Sequence, residues 1–261
     1  MKEIVIGNSQ VGHLNRGLFF GENFFTSLCS YGGSALFLPS HLSRIKKGFD
    51  IFYPEVEYQN SLKQVEDRIL KEVRSDKNHY FRITPIVSLD KREFGIHIFK
   101  KTIDNRTLER RSLALIEGTW DQNIFPEELK LGNYAKPFYL QCNLPNKKFH
   151  DIIKVDKNKN IIESTTSNIF FLKAGKLIFP RLKNSGLDGI VSRHIQKFKK
   201  GNIEVRDIHV DEFREMDAAF LTNSVQLFIL VDRIKDHRYE VNPSLLEKDF
   251  LLQNFLGVDI K

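Results

Sequence analysis

Hydrophobic and polar positions along this chain change their period several times, and each change predicts an element. Between Ser61 and Arg74 the apolar residues Leu62, Val65, Ile69, Leu70 and Val73 recur at helical spacing, which predicts an amphipathic helix with its stripe on a sheet. Tyr80 to Val87 and Phe94 to Lys101 alternate instead, as two strands joined by the charged loop Ser88 to Glu93, and Arg110 to Glu117 adds one more. Upstream, Ile4-Val5-Ile6 is a short strand ended by Gly7-Asn8. The aromatic run LFFGENFFTSL then leads through Gly32-Gly33 to Ala35–Leu38, which predicts a hairpin with the glycines at its tip. Pro39-Ser40 breaks that run. Ser40 is placed to cap a helix opening at His41 and carrying Arg44 about one turn in. The first half is therefore α+β.

Gly118 to Glu128 breaks all periodicity and contains Gly, Asn and Pro, which marks it as the linker between an N-terminal domain (1–117) and a C-terminal one (129–261). Beyond it, Lys130 to Lys136 reads as a helical turn ended by Pro137. Ile152–Val155 and Asn160–Glu163 flank the turn Asp156–Lys159, and Asn168–Leu172 and Lys176–Phe179 flank Ala174-Gly175; two hairpins in succession make an antiparallel meander. Ile190, Val191, Ile195 and Phe198 then form one face of a helix that stops at Gly201. After it come a strand at Ile203–Ile208, a short helix at Asp211–Met216 and a buried strand at Ala218–Leu221 that ends in Thr222-Asn223-Ser224. Val225–Val231 returns, and a last helix runs from Asn242-Pro243 to Leu256, closed by Gly257.

Composition narrows the class. With 261 residues, 41% of them apolar and 28% charged, the chain reads as a soluble globular protein rather than a disordered one. No apolar run approaches the roughly 18–20 residues of a membrane span, and MKEIVIGNSQ lacks the apolar core of a signal peptide, so the expected address is the cytoplasm, with no membrane partner. Cys29 and Cys142 stand far apart in no metal or redox spacing and read as small buried apolar residues; no metal site is expected. A net charge of +7 raises nucleic acid as a partner, but the lysines fall in short groups beside turns, none interleaved with aromatics, and read as solvated surface.

Several common catalytic patterns are absent: there is no GxSxG, no Gly-Lys-Ser/Thr phosphate loop and no HExxH. What remains is a lysine, Lys130, a strand-end glutamate, Glu163, and two small-residue cradles. Gly189-Ile190-Val191 opens a helix, where free N–H groups favour an anion, and Thr222-Asn223-Ser224 offers hydroxyl and amide donors.

LKLGNY, followed by ESTTSNIFF, GLDGI and LTNSV, with HLSRI early in the chain, resembles the class IV aminotransferases, the fold type IV enzymes of pyridoxal phosphate, which include branched-chain and D-amino acid aminotransferases and aminodeoxychorismate lyase. The order and spacing match over nearly the whole length. The resemblance implies a smaller N-terminal α/β sandwich-like domain, a larger C-terminal antiparallel domain with helices, and a homodimer. It implies that Lys130 forms the Schiff base with pyridoxal 5'-phosphate and then moves the Cα proton, which fits the chemistry of a lysine amine. Glu163 then pairs with the pyridine nitrogen, Tyr134 bonds the phenolate oxygen, and Arg44, Ile190, Val191 and Ser224 hold the phosphate. Asn168 is a further hallmark, expected to be structural.

The substrate, by the same resemblance, is a small amino or keto acid. Thr26 stands where the aminotransferases carry Glu and looks like the lyase branch, whereas GNY after Lys130 looks like the branched-chain aminotransferases. Ile83-Thr84-Pro85-Ile86 lacks the arginine that many members use for the substrate carboxylate, and Arg92 in the adjacent loop is the candidate replacement. An aminotransferase is the expectation. A lyase releasing pyruvate and 4-aminobenzoate, or a non-catalytic module of the same fold binding phosphate or nucleic acid, are the alternatives.

Overall fold

The structure, a computed structural model, describes residues 2–7, 14–74, 76–115, 125–144, 148–183, 185–241, 245 and 247–258. It divides into two compact units, one comprising Met1–Asn105 with Leu129–Asn133 and the other Arg106–Glu128 with Tyr134–Lys261.

In the first unit β1 (Lys2–Gly7), β2 (Thr26–Tyr31), β3 (Ser34–Ala35), β4 (Asn78–Val87) and β5 (Phe94–Ile103) form an antiparallel sheet in the order β1-β5-β4-β2-β3. Gly32 and Gly33 make the β2–β3 turn at φ 54° and 82°, the left-handed pair that a two-residue hairpin loop demands. Among the described residues, the helices α1 (Arg16–Phe20), α2 (Leu38–Phe52) and α3 (Gln59–Glu72) accompany the sheet. Val65 and Ile69 of α3 are fully buried, although Leu70 of the expected stripe is exposed. Helix α2 starts earlier than expected. Phe37 is its N-cap and Pro39 lies in its first turn, where a missing N–H removes no hydrogen bond, so Ser40 sits inside the helix rather than capping it.

The alternation read along β4 is present in space: Phe81, Ile83 and Val87 are buried on one face, while Tyr80, Arg82 and Thr84 are half-buried on the other. Register carries both faces across to β2, where Thr26 lies opposite Ile83 and Ser27 opposite Arg82.

The second unit is a larger sheet built from β6 (Glu109–Leu115), β7 (Asp151–Val155), β8 (Ile161–Ser164), β9 (Asn168–Lys173), β10 (Lys176–Pro180), β11 (Ile203–Arg206), β12 (Ala218–Thr222), β13 (Ile229–Ile234) and β14 (His237–Arg238). The main order is β11-β10-β9-β12-β13-β6-β7-β8, and a β8–β9 pairing joins the ends of the last six into a ring. Leu113, Ile153, Ile169, Phe171, Ala219, Leu221, Ile229 and Val231 belong to one continuous core cluster of this unit. Phe170 stacks on Phe179 and Phe220 at 5.1 and 5.3 Å, with Phe228 and Phe255 around it. Each buried phenyl of this group stabilises the fold by about 1.5–3 kcal/mol. The helices here are α4 (Ala135–Cys142), α5 (Ile190–Phe198) and α6 (Lys248–Leu251), which runs into a π-helical turn, Leu252–Leu256, ended by Gly257 at φ 62°.

Three expectations change. The strand expected at 110–117 in the N-terminal domain is β6, and it belongs to the second unit, parallel to both β13 and β7, so the sheet is mixed, while the expected meander β7-β8-β9-β10 is antiparallel throughout. Leu129–Asn133, expected in the C-terminal domain, groups with the first unit, while residues 116–124 of the expected linker lie outside the described ones. Within the expected last helix, residues 242–244 and 246 are likewise outside, and the helix seen starts at Lys248. Among the described residues no helix is long and apolar enough to cross a membrane.

Candidate functional site

In the first unit the segment carrying Lys130 is extended, not helical. Leu131 makes an antiparallel bridge to Phe24, the Phe25 N–H donates to the Lys130 carbonyl at 2.9 Å, and the Gly132 N–H donates to the Asn23 carbonyl at 3.1 Å. A Cβ at Gly132 would fall 1.8 Å from Asn23 Oδ1, so a side chain there would have to displace the Asn23 amide. The segment therefore acts as an added strand beside β2, and Lys130 Nζ lies 5.0 Å from the centroid of the buried Phe25 ring. The Arg82 guanidinium carbon sits over the same ring at 3.8 Å, and Arg82 Nε donates to Thr84 Oγ1 at 3.3 Å. Sequence reasoning passed over Arg82. The alternation of β4 could have found it, since residues 82 and 84 share a face.

Arg44 is on α2 and only 6% exposed, so its charge is held inside the unit rather than on the surface. One turn earlier, His41 Nδ1 and Thr26 Oγ1 form a 2.6 Å hydrogen bond, and both residues are fully buried. Thr26, expected on the substrate side, thus turns its hydroxyl to His41 on the core face of β2. Arg92, the other substrate-side expectation, is on the β4–β5 loop with its side chain 84% exposed, 3.7 Å from Asp90. Before β2, Glu22 accepts from Arg16 Nε at 2.6 Å and Arg16 Nη2 at 2.8 Å, and this pairing holds its carboxyl below the usual range. Tyr53 donates to the Glu22 carbonyl, and burial pushes its phenol up to about 12.

In the second unit Glu163 is 7% exposed and surrounded by donors. Lys154 Nζ donates to Oε1 at 2.7 Å; Asn168 Nδ2 and the Leu187 N–H donate to Oε2 at 3.2 and 3.1 Å. Asn168 Nδ2 also donates to the Leu187 carbonyl at 2.7 Å, so one amide ties the glutamate to the loop before α5. This is the structural part expected of Asn168. Gly189, the N-cap of α5, lies against it: a Cβ would come 1.8 Å from Asn168 Oδ1. Gly186 is equally constrained, with a Cβ 2.9 Å from Ile162 Cγ2 and 3.3 Å from Glu163 Cδ. Glycine in GLDG thus serves close approach to the strand of Glu163.

Helix α5 has no side-chain cap, and Ile190 and Val191 are 0% and 1% exposed, so the first-turn N–H groups are donors in a dry setting without intrahelical acceptors. Thr222 pairs with Asn168 in the β9–β12 ladder, which brings the turn holding Ser224 to the same sheet end. That turn is fixed by Asn223 Oδ1, accepting from the Val225 and Gln226 N–H groups, and by Asn223 Nδ2 donating to Ser167 Oγ at 2.9 Å. Tyr134 precedes α4 and lines a cleft of about 300 Å³ with Pro137, Phe138, Gln141 and Thr166. The expected helical turn from Lys130 to Tyr134 is absent, because Lys130 is strand-like and α4 begins only at Ala135, with Pro137 inside its first turn, where a missing N–H is tolerated. Lys154 was also missed. Its signal was the hairpin itself, in which Lys154 stands directly opposite Glu163.

The sequence profile of the family described as Amino-transferase class IV matches residues 23–234. A probable branched-chain-amino-acid aminotransferase of Thermotoga maritima is 34% identical over 110 residues, 41% of this chain and 40% of that protein, so the match spans under half the relative's length. Two solved structures share the fold. The branched-chain aminotransferase of Thermoproteus uzoniensis superposes with a TM-score of 0.80 at 18% identity, covering 98% of this chain and 95% of that one. The 4-amino-4-deoxychorismate lyase of Pseudomonas aeruginosa does so with 0.77 at 17%, covering 97% and 99%.

Proposed function

Because the chain belongs to the class IV amino-transferase family, we propose that it is a pyridoxal-phosphate enzyme that moves an amino group between a small amino acid and a keto acid. The observation that carries this is the Glu163 assembly: a buried carboxylate, bridged by Asn168 to the uncapped start of α5. The donor set suits the cofactor in kind. A carboxylate complements a protonated ring nitrogen, N–H groups at a helix start complement a phosphate dianion, and Arg44 and Ser224 add a charge and a hydroxyl to the phosphate. Tyr134 would donate to the phenolate oxygen, and the Lys130 amine would bond covalently to the aldehyde.

When bound, the cofactor supplies an electron sink for the pair left at Cα. The chain's own tasks are to keep the ring nitrogen's partner fixed, which Lys154, Asn168 and the Leu187 N–H do for Glu163, and to carry a proton on the Lys130 amine. The branched-chain aminotransferase named for the Thermotoga relative supports a transaminase over a lyase. The same reading takes the working form to be a homodimer in the cytoplasm.

Borohydride reduction of the protein loaded with pyridoxal phosphate, followed by peptide mapping, is expected to place the pyridoxyl label on Lys130. A label elsewhere, or none, would refute the reading and leave the phosphate-binding module. Keto-acid-dependent amino transfer, assayed beside pyruvate release from aminodeoxychorismate, separates transaminase from lyase.

A further inference from the structure

We propose that the first unit carries an anion site of its own, a cleft at the α3 end of its sheet that takes a diphosphate-type anion between Lys77 and Lys101, with His79 at its floor. The site lies wholly within that unit and does not depend on the amino-transfer reading.

Four segments supply the lining. Lys2 comes from β1, Arg74 follows α3, Lys77 and His79 stand at the entry to β4, and Lys100 and Lys101 belong to β5, around a volume of about 410 Å³. Register explains the gathering, because Lys2 stands directly opposite Lys100 in the β1–β5 ladder, and two like charges so placed need a shared anion. Glu72 is that anion. It accepts from Lys2 at 3.3 Å and Lys100 at 2.9 Å, with Arg68 also 2.9 Å away, and Lys100 donates to the Glu72 carbonyl at 2.8 Å, at a helix end where a cation is favourable. Asp76 in turn pairs with Arg74 at 3.0 Å.

Folding thus employs Lys2, Lys100, Arg68 and Arg74, and it leaves two cations over. Among the described residues neither Lys77 nor Lys101 has a carboxylate within 4.0 Å, yet both border the same cleft. Read along the sequence, Lys100-Lys101 is one more solvated pair; in the fold it helps to close a cleft of five cationic side chains against one carboxylate.

His79 is the independent sign. It lines the cleft while only 3% exposed, its main-chain N–H is engaged by Ser30 Oγ at 2.8 Å, and its Nδ1 has no hydrogen-bond partner among the described residues. A buried ring nitrogen left so is costly, and a phosphate oxygen in the cleft supplies the partner, directly or after a half-turn of the ring. Burial, and after it the charge of Lys100, holds the imidazole below its ordinary 6.5, with Arg74 acting the same way and Asp76 and Glu72 opposing them. An anion in the cleft joins the opposing side and draws a proton to the ring.

The lining also selects the ligand. Lysine ammoniums on flexible stems suit the several oxygens of a diphosphate, each as a charge-assisted donor. No lining residue besides His79 is aromatic, so a base finds nothing to stack on, and the recognised part is the diphosphate rather than a nucleoside or a nucleic-acid strand.

The test uses the full chain saturated with pyridoxal phosphate, so that its cofactor site is filled, and titrates it by calorimetry with pyrophosphate, ADP and sulfate at constant ionic strength. Wild type is compared with Lys77→Gln/Lys101→Gln, which leaves every partner of Glu72 in place, and with Lys157→Gln/Lys200→Gln, which removes the same charge from exposed positions of the second unit. The expected result is saturable pyrophosphate binding, ADP within about threefold of it and sulfate weaker by about tenfold or more. In the cleft variant the pyrophosphate Kd rises by about tenfold or more, and in the control by less than about twofold. The His79 ring resonances, followed by NMR, shift on saturation and titrate at higher pH than without the anion. Equal loss in both variants, no loss in the cleft variant, sulfate binding as tightly as pyrophosphate, ADP binding without pyrophosphate, or a His79 ring that does not respond would each overturn the site. A chain that takes up no pyridoxal phosphate is titrated in the same way, and the same comparison decides, because neither lysine belongs to the second unit.

Discussion

Lys154 donates its ammonium proton to Glu163 across 2.7 Å, from the position directly opposite in the β7–β8 ladder, with both side chains at most 10% exposed. Removing one partner of such a pair strands a charge in a poorly solvated place, which costs about 3–5 kcal/mol. Lys154→Met is therefore expected to lower the urea unfolding free energy by about 3 kcal/mol, and Lys154→Met/Glu163→Gln to lower it by less than the sum of the two single changes. Strict additivity would show that the pair is not coupled.

Glu163→Gln separates structure from chemistry. Glutamine keeps an acceptor for the Leu187 N–H and Asn168 but loses the negative charge. The loaded variant is expected to retain its cofactor while Cα proton exchange, followed by deuterium incorporation into the substrate, slows by about 100-fold or more. An unchanged exchange rate would remove Glu163 from the mechanism.

Thr26→Val tests the interior role of that residue. The change keeps the shape and deletes the hydroxyl that meets His41 at 2.6 Å, so a loss of about 1–3 kcal/mol is expected in denaturant unfolding, with Thr26→Ser retaining the bond. A neutral Thr26→Val would mean that the buried pair contributes nothing.

Gly189→Ala introduces a Cβ 1.8 Å from Asn168 Oδ1 at an ordinary backbone angle of φ −70°, so only the clash opposes it. Asn168 must then release Leu187 or Glu163. Loss of about 2 kcal/mol or more in stability, together with weaker pyridoxal phosphate binding by equilibrium dialysis, is the expected pair of results.

Acid sensitivity has an identifiable source in the first unit. The hydrogen bond from Lys100, with Lys2 assisting, holds the Glu72 carboxyl below its ordinary value of 4.5 against the desolvation that would raise it. The folded value is lower than the unfolded one, so this contribution is complete above pH 4.5 and disappears as pH falls through the folded value. Glu72→Gln is expected to flatten the stability profile below pH 4.5, and a profile parallel to wild type there would contradict it.

Much of the fold was legible because it is local. The β4 alternation, the Gly32-Gly33 tip and the start of α5 at Ile190 are each set by residues within a few positions. What stayed hidden depends on partners distant in sequence. β6 looks like any alternating strand, and nothing in Glu109–Leu115 says that β13, more than a hundred residues later, takes one edge. Lys130 sits in a segment with helical composition, yet hydrogen bonds to Asn23 and Phe25 draw it into an extended form. For the candidate site, GLDG is where the structure packs glycines against Asn168 and the strand of Glu163, whereas the Lys154 partner of Glu163 was not legible because a lysine announces nothing until its cross-strand neighbour is known.

The ring of the second unit is closed between β8 and β9 by the pair Glu163 and Asn168, with Ser164 to Ser167 as the connection. The seam of the barrel and its buried acid are thus one pair of residues. A single residue inserted in that connection would slip the register and turn either the carboxylate or the amide to the opposite face. Length in this loop is then fixed by the buried Glu163–Asn168 pair, so an engineer who wishes to vary the unit has freedom at the Ala174-Gly175 turn and almost none between residues 163 and 168.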